Sequence, residues 1–194
     1  PTIRENCIQE FLAAWAAQFT DHHVIVVEDN PTRSFSLPPW VEHVSWQEID
    51  KTLGSDSWII PRRAGAIRNF GLLLAGQYKP DMIVMLDDDC LPTGGDFLER
   101  HWAALEASGT QDPFYDTMQA SGTGVLARGY PKELKRSMTV VNHGLWNNVP
   151  DLDGVTQLAN MDLMTNFPEH SVQVPRGTLF PLSAMNVAFR PQVL

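Results

Sequence analysis

Met82 to Leu86 is apolar at every position and runs straight into three aspartates, Asp87, Asp88 and Asp89. An apolar run without alternation is the pattern of a strand covered on both faces, as strands of parallel sheets are. The segments before it alternate between the helical and extended periods. Glu5–Phe19 places Ile8, Phe11, Leu12, Trp15 and Phe19 at helical spacing, and "HVIVVEDNP" is a β-branched run that ends at Glu28 or Asp29. "WQEIDKTL" reads as a short helix stopped by Gly54, and "WII" as a short strand. Arg62–Tyr78 reads as a long helix with Ile67, Phe70, Leu74 and Tyr78 on one face. A further helix is expected from Phe97 through Trp102 and Leu105, with Gly-, Pro- and Asn-rich loops and short strands beyond Gly109. Alternating helices and strands predict an α/β fold with a mostly parallel, Rossmann-like sheet flanked by helices.

Ligands of open α/β sheets bind at the carboxyl ends of the strands. Asp29 and the Asp87–Asp89 triplet both fall at such ends, so the expectation is one shared site. On an extended backbone Asp87 and Asp89 point one way and Asp88 the other. Two parallel carboxylates make half a shell for Mg²⁺ or Mn²⁺, whose other ligands are waters and substrate phosphates. The competing reading is a solvated acidic turn or a helix cap. Spacing excludes two other acidic motifs, because Leu91 stands where a DDxxD motif needs an acid and a DxDxT motif needs a threonine. The pattern that survives is the DxD of nucleotide-sugar enzymes with a GT-A fold.

Composition narrows the partners. The chain has 194 residues and a formal net charge of -9, with no Lys/Arg-rich block. Nucleic acid and anionic membranes need a basic surface, so neither is expected as a partner. The longest apolar stretches are too short for a transmembrane segment, and no signal-peptide pattern is present. Cys7 and Cys90 form no CxxC pair, which suits a reducing, cytoplasmic setting. "GTGVLA" (122–127) matches a dinucleotide-binding pattern, but Pro131 would fall in the first turns of its helix, so neither flavin nor nicotinamide is expected.

Several stretches together resemble one family, the reversibly glycosylated polypeptides or UDP-arabinopyranose mutases. They are "PTIR" (1–4), "IRNFG" (67–71), "DDDC" (87–90), "RGYP" (128–131), "HGLWNNVPDLDGVTQL" (143–158) and "RGTLFPLSAMNVAF" (176–189). The resemblance implies a single GT-A-like catalytic domain over 1–194, with a nucleotide- and metal-binding half (1–110) and a sugar half (111–194). It implies a UDP-sugar substrate, Mn²⁺ or Mg²⁺ at Asp87 and Asp89, and contacts to the nucleotide from Asp29, Arg68, Asp87, Asp88 and Trp146. It implies interconversion of the pyranose and furanose forms of UDP-arabinose, with reversible glycosylation at Arg128. His143, Asp151 and Asp153 are the further catalytic candidates, and assembly with like or related chains is expected. Guanidinium is a poor nucleophile, so capture of the sugar by Arg128 needs a carboxylate to take its proton or a sugar already close to an oxocarbenium ion.

Two departures stand out: Lys135 lies where the family usually has arginine, beside Arg136, and Ser183–Ala184 where it commonly has Cys-Gly. The family pattern also leads us to expect a fragment, lacking a first strand before "PTIR" and a later acidic-aromatic segment. The rival readings are a metal-dependent UDP-sugar glycosyltransferase acting on an external acceptor and a non-catalytic UDP-sugar-binding subunit.

Overall fold

The computed structural model describes residues 1–106, 121–125, 141–145, 147–148, 150, 152–167, 172, 174 and 181–194. The chain separates into two compact units, residues 1–99 with 191–194 and residues 100–190.

In the first unit, helix α1 (Glu5–Phe19) buries the five residues whose spacing predicts it, Ile8, Phe11, Leu12, Trp15 and Phe19. Each such side chain taken from water contributes about 1.5–3 kcal/mol. The Trp15 and Phe19 rings stack at 4.8 Å, and Phe97 meets Trp15 edge-on at 4.7 Å. Strand β1 (Val24–Val27) pairs in parallel with β2 (Val41–Val44), Val24 opposite Val41 and Val27 opposite Val44. Thr2 extends this arrangement by a parallel bridge to Glu28.

Helix α2 (Trp46–Leu53) begins where the Glu48 carboxylate accepts the Ser45 N–H and hydroxyl, each at 2.7 Å, and ends at Gly54 with φ 54°. Helix α3 (Arg68–Gln77), strand β3 (Ile83–Leu86) and the start of helix α4 (Phe97–Glu106) complete the unit. A second core under α2 and α3 gathers Val27, Val44, Ile49, Ile60, Ile67 and Phe70.

In the second unit, β4 (Val141–His143) pairs antiparallel with β5 (Asn186–Phe189), His143 opposite Val187. Helix α5 (Gly154–Ala159) is capped by Asp153. A Cβ on Gly144 would run into the Asn186 side chain, so the close approach of that turn to β5 requires glycine.

The α/β class therefore holds, with corrections. The parallel sheet of the first unit is the two-stranded pair β1–β2 rather than an extended mostly parallel one, and β4–β5 is antiparallel. "WII" is no strand: Gly54–Ile59 winds as a 3-10 helix that exposes Trp58 and Ile59 and leaves Ile60 as the buried residue. The helix expected from Arg62 starts later, with a 3-10 turn at Gly65–Ile67 and α3 from Arg68, because Arg63 takes a left-handed backbone with φ 52° that no α-helix continues through. Tyr78 does not join the core; its ring lies 3.8 Å from that of His23 and is half exposed. Strand β2 carries Glu42 and His43 between two valines, too polar a run to be seen by its apolar residues.

Candidate functional site

The aspartate triplet follows β3 and sits in a turn closed by Cys90 N–H to the Asp87 carbonyl at 3.1 Å. Helix α1 anchors the far side of that turn, where the Trp15 indole N–H donates to the Cys90 carbonyl at 2.7 Å. Turning ends the alternation of an extended strand, and the side chains group differently from the sequence expectation. Asp88 and Asp89 share Arg4, whereas Asp87 faces Arg68.

Asp88 is the buried member. It accepts from the Thr2 hydroxyl, from Arg4 Nε at 3.2 Å and from Arg4 Nη2. Asp89 meets Arg4 Nη2 at 3.0 Å, and Asp87 meets Arg68 Nη2 at 3.4 Å. Asp88 and Asp89 raise the affinity of Arg4 for its proton above the ordinary value, chiefly through the hydrogen bond to Asp88. Side-chain exposure runs 26%, 6% and 58% for Asp87, Asp88 and Asp89. So Asp88 is committed to the fold, while Asp87 and Asp89 keep accessible oxygens.

Two carboxylates with open faces suit Mg²⁺ or Mn²⁺, which bind proteins through one or two carboxylates and take phosphates and waters for the rest. Among the described residues no cluster of three or more His, Cys, Asp or Glu forms a fuller ligand set.

Asp29 lies at the end of β1, buried, and its Oδ1 accepts from the Trp46 indole N–H at 2.7 Å and the Arg63 N–H at 3.0 Å. Thr2 links the two strand ends: its carbonyl accepts the Asp29 N–H at 2.9 Å and its hydroxyl donates to Asp88. Thr2 thereby joins Asp29 to Asp88, and Arg68 from α3 pairs with Asp87 of the same turn.

Beside them sits an acid to which sequence reasoning gives no role. Glu28 is fully buried and accepts from Asn30 Nδ2 at 2.7 Å, from Ser34 N–H at 2.9 Å and from Phe35 N–H at 3.2 Å, and pairs with His43 Nε2 at 2.7 Å. Burial alone would raise its pKa, but hydrogen bonds from Ser34, Asn30 and Phe35 outweigh it and hold the group at about 2. Arg4, Thr2, Trp46 and Arg63 are likewise missed as contributors. Arg4 is the one with a signal, since it stands in "PTIR" and three adjacent acids need a cation.

In the second unit His143 accepts the Ser183 N–H on Nε2 at 3.2 Å. Asp153 uses its oxygens to cap α5, accepting from Val155 N–H and Thr156 N–H, each at 3.1 Å, and from the Thr156 hydroxyl at 2.6 Å. Those bonds, led by the Thr156 hydroxyl, lower its pKa. His101, unmarked by sequence reasoning, is buried between Asn142 Nδ2 (2.7 Å from Nδ1) and Asn186 Oδ1 (3.0 Å from Nε2), and burial lowers its pKa. Arg128, Trp146, Asp151, Lys135 and Arg136 lie outside the described residues.

The family model for reversibly glycosylated polypeptides matches residues 1–194, the whole chain. The chain belongs to this family. Its curated relatives include a probable UDP-arabinopyranose mutase 1 of Zea mays, 34% identical over 203 residues that are 97% of this chain and 54% of that protein. UDP-arabinopyranose mutase 3 of Arabidopsis thaliana is 32% identical over 206 residues, 100% of this chain and 55% of that protein. UDP-arabinopyranose mutase 1 of Oryza sativa subsp. japonica is 33% identical over 97% of this chain and 54% of its own length. The chain spans about half the length of the curated relatives it matches. Cys7 and Cys90 are both thiols rather than a disulfide, and burial pushes the Cys90 pKa up. No helix among the described residues is long and apolar enough to cross a membrane.

Proposed function

We propose that the protein is a UDP-arabinopyranose mutase, binding UDP-sugar in a GT-A-like domain with Mn²⁺ or Mg²⁺ at Asp87 and Asp89. The observation that carries this reading is the match to mutases so named along essentially the entire chain, at about a third identity. The geometry at the strand ends supports it, because one turn offers two accessible carboxylates and one held in place by Thr2 and Arg4.

Ring contraction requires the bond between the anomeric carbon and UDP to break, so that the ring opens and recloses through another hydroxyl. When bound, the cation supplies charge neutralisation for the departing diphosphate. Arg68 is freed to reach phosphate oxygens as Asp87 turns from it. Asp29, fixed through Oδ1 by Trp46 and Arg63, offers its other oxygen to the nucleoside. Arg128 takes the sugar at its anomeric carbon as UDP leaves, and the reverse step returns it to UDP. The guanidinium proton goes to a carboxylate; with Asp153 engaged in capping α5, Asp151 is the candidate. The thiol state of Cys7 and Cys90 suits a reducing, cytoplasmic setting.

Calorimetric titration of UDP with and without Mn²⁺, followed by turnover of UDP-arabinopyranose, tests the reading. We expect Mn²⁺-dependent UDP binding that the Asp87→Asn/Asp89→Asn double variant loses by about a hundredfold or more, together with turnover. Metal-indifferent binding would return the triplet to an acidic turn. Consumption of UDP-sugar only with an added acceptor would make the protein a glycosyltransferase.

A further inference from the structure

The arginines of the first unit are Arg4, Arg33, Arg62, Arg63 and Arg68. Four have a carboxylate partner: Arg4 has Asp88 and Asp89, Arg33 has Glu48 at 3.4 Å, Arg62 has Asp50 at 2.7 Å and Arg68 has Asp87 at 3.4 Å. Arg63 has none among the described residues. Its guanidinium carbon lies 5.9 Å from the centre of the Trp46 ring, and the residue is exposed. Its neighbour Arg62 lies at the same distance from that ring but is locked by Asp50 and by the Ile60 carbonyl at 2.6 Å.

The backbone of Arg63 makes this arrangement more informative. Its φ of 52° is a conformation that glycine and asparagine adopt readily and a long side chain rarely does. The conformation is held at its amide. The Arg63 N–H donates to Asp29 Oδ1 at 3.0 Å, and the same oxygen receives the Trp46 indole N–H at 2.7 Å. Asp29 therefore holds both the root of the Arg63 side chain and the ring on which its head rests. A residue type ill suited to its backbone, carrying an uncommitted charge beside an acidic strand end, points to a ligand rather than to the fold. Left free in solution, such a guanidinium would find one of the neighbouring carboxylates; contact with the ring keeps it available.

We propose that Arg63 is a diphosphate-binding residue, its planar donor fork closing on phosphate oxygens of the nucleotide while Asp29 orients it from behind. The inference rests on the nucleotide-sugar reading above. A diphosphate approaching Asp29, Asp87 and Asp89 meets like charge, and the cation on the aspartates cancels only part of it. Arg68 must leave Asp87 to help, whereas Arg63 gives up no ion pair. Guanidinium suits the task because it presents paired N–H donors to two oxygens at once.

The test uses Arg63→Gly, which keeps the N–H bonded to Asp29, suits the backbone and deletes the cation. Arg63→Asn is a second uncharged variant that tolerates the same φ, should the glycine loosen the loop. UDP, uridine and inorganic diphosphate are each titrated in Mn²⁺ against the wild-type chain and both variants, with melting temperatures recorded. We expect both variants to bind UDP and diphosphate about tenfold or more weaker, with uridine unchanged and no loss of melting temperature. UDP affinity equal to wild type in both variants would overturn the role of Arg63 and leave the nucleotide site standing. Equal loss of uridine and UDP would also overturn it, since Arg63 would then prop the nucleoside pocket. Wild-type chain that binds neither UDP nor diphosphate would remove the nucleotide reading, and Arg63 with it.

Discussion

Strands β1 and β3 both end in acids, and the two ends handle the same chemistry in opposite ways. At β1, Glu28 is wrapped by the loop that follows it, with Asn30, Ser34 and Phe35 all turned onto its oxygens and His43 closing the shell. At β3, only Asp88 is buried; Asp87 and Asp89 keep 26% and 58% of their side-chain surface and one arginine each. The difference lies in where the donors come from. Glu28 takes most of its bonds from the next few residues, which can fold around it completely. The triplet depends on Thr2 and Arg4 from the start of the chain and on Arg68 from α3, which cover one acid and leave two within reach of a ligand. A saturated carboxylate holds structure; an unsaturated one beside it is available for chemistry.

The largest effect that bears on this contrast is Glu28→Ala, which leaves His43 and the loop N–H groups without their acceptor. Urea unfolding should show a loss of about 3 kcal/mol or more, because several buried donors lose one charged acceptor. A loss below about 1 kcal/mol would mean that water or other acceptors replace the carboxylate, and the contrast would dissolve.

Acid should act through the same group. The folded-state pKa of Glu28 is about 2 against an ordinary 4.5, so its ionised form is favoured by folding. That contribution, about 3 kcal/mol, is fully present above about pH 5 and disappears as pH falls towards 2. Urea midpoints between pH 5 and pH 2 should therefore decline more steeply in the wild-type chain than in Glu28→Gln. Equal slopes would remove Glu28 as the titrating group.

Smaller still is the contrast inside the triplet. Asp88→Ala strips the Thr2 hydroxyl and Arg4 of a buried acceptor and should cost about 1–3 kcal/mol. Asp89→Ala removes an exposed pair and should stay within about 0.5 kcal/mol of wild type. Stabilities in the reverse order, measured by the same urea titration, would mean that Asp89 rather than Asp88 anchors the turn.

Local architecture is the part of this fold that the residue pattern makes legible. The helical spacing of Ile8, Phe11, Leu12, Trp15 and Phe19 defines α1 to the residue, and Gly54 stops α2 where a positive φ is required. The acids of the site are legible too, because carboxylates at strand ends stand out against the apolar runs before them. The family is legible in "HGLW" and "GTLFP", which are long enough to be distinctive. Less visible are β2, whose Glu42 and His43 break its apolar run, and the delayed start of α3, which depends on a left-handed Arg63 that no propensity foretells.

The sequence alone determined which segments coil or extend and which residue types gather at the strand ends, since both follow from spacing over a few residues. Only the tertiary structure decided what each acid does. Three chemically identical aspartates became one structural anchor and two open carboxylates because Arg4, more than eighty positions away, reaches two of them and buries one. Charge pairing depends on distance in space, and distance in space between remote residues is settled by packing rather than by pattern.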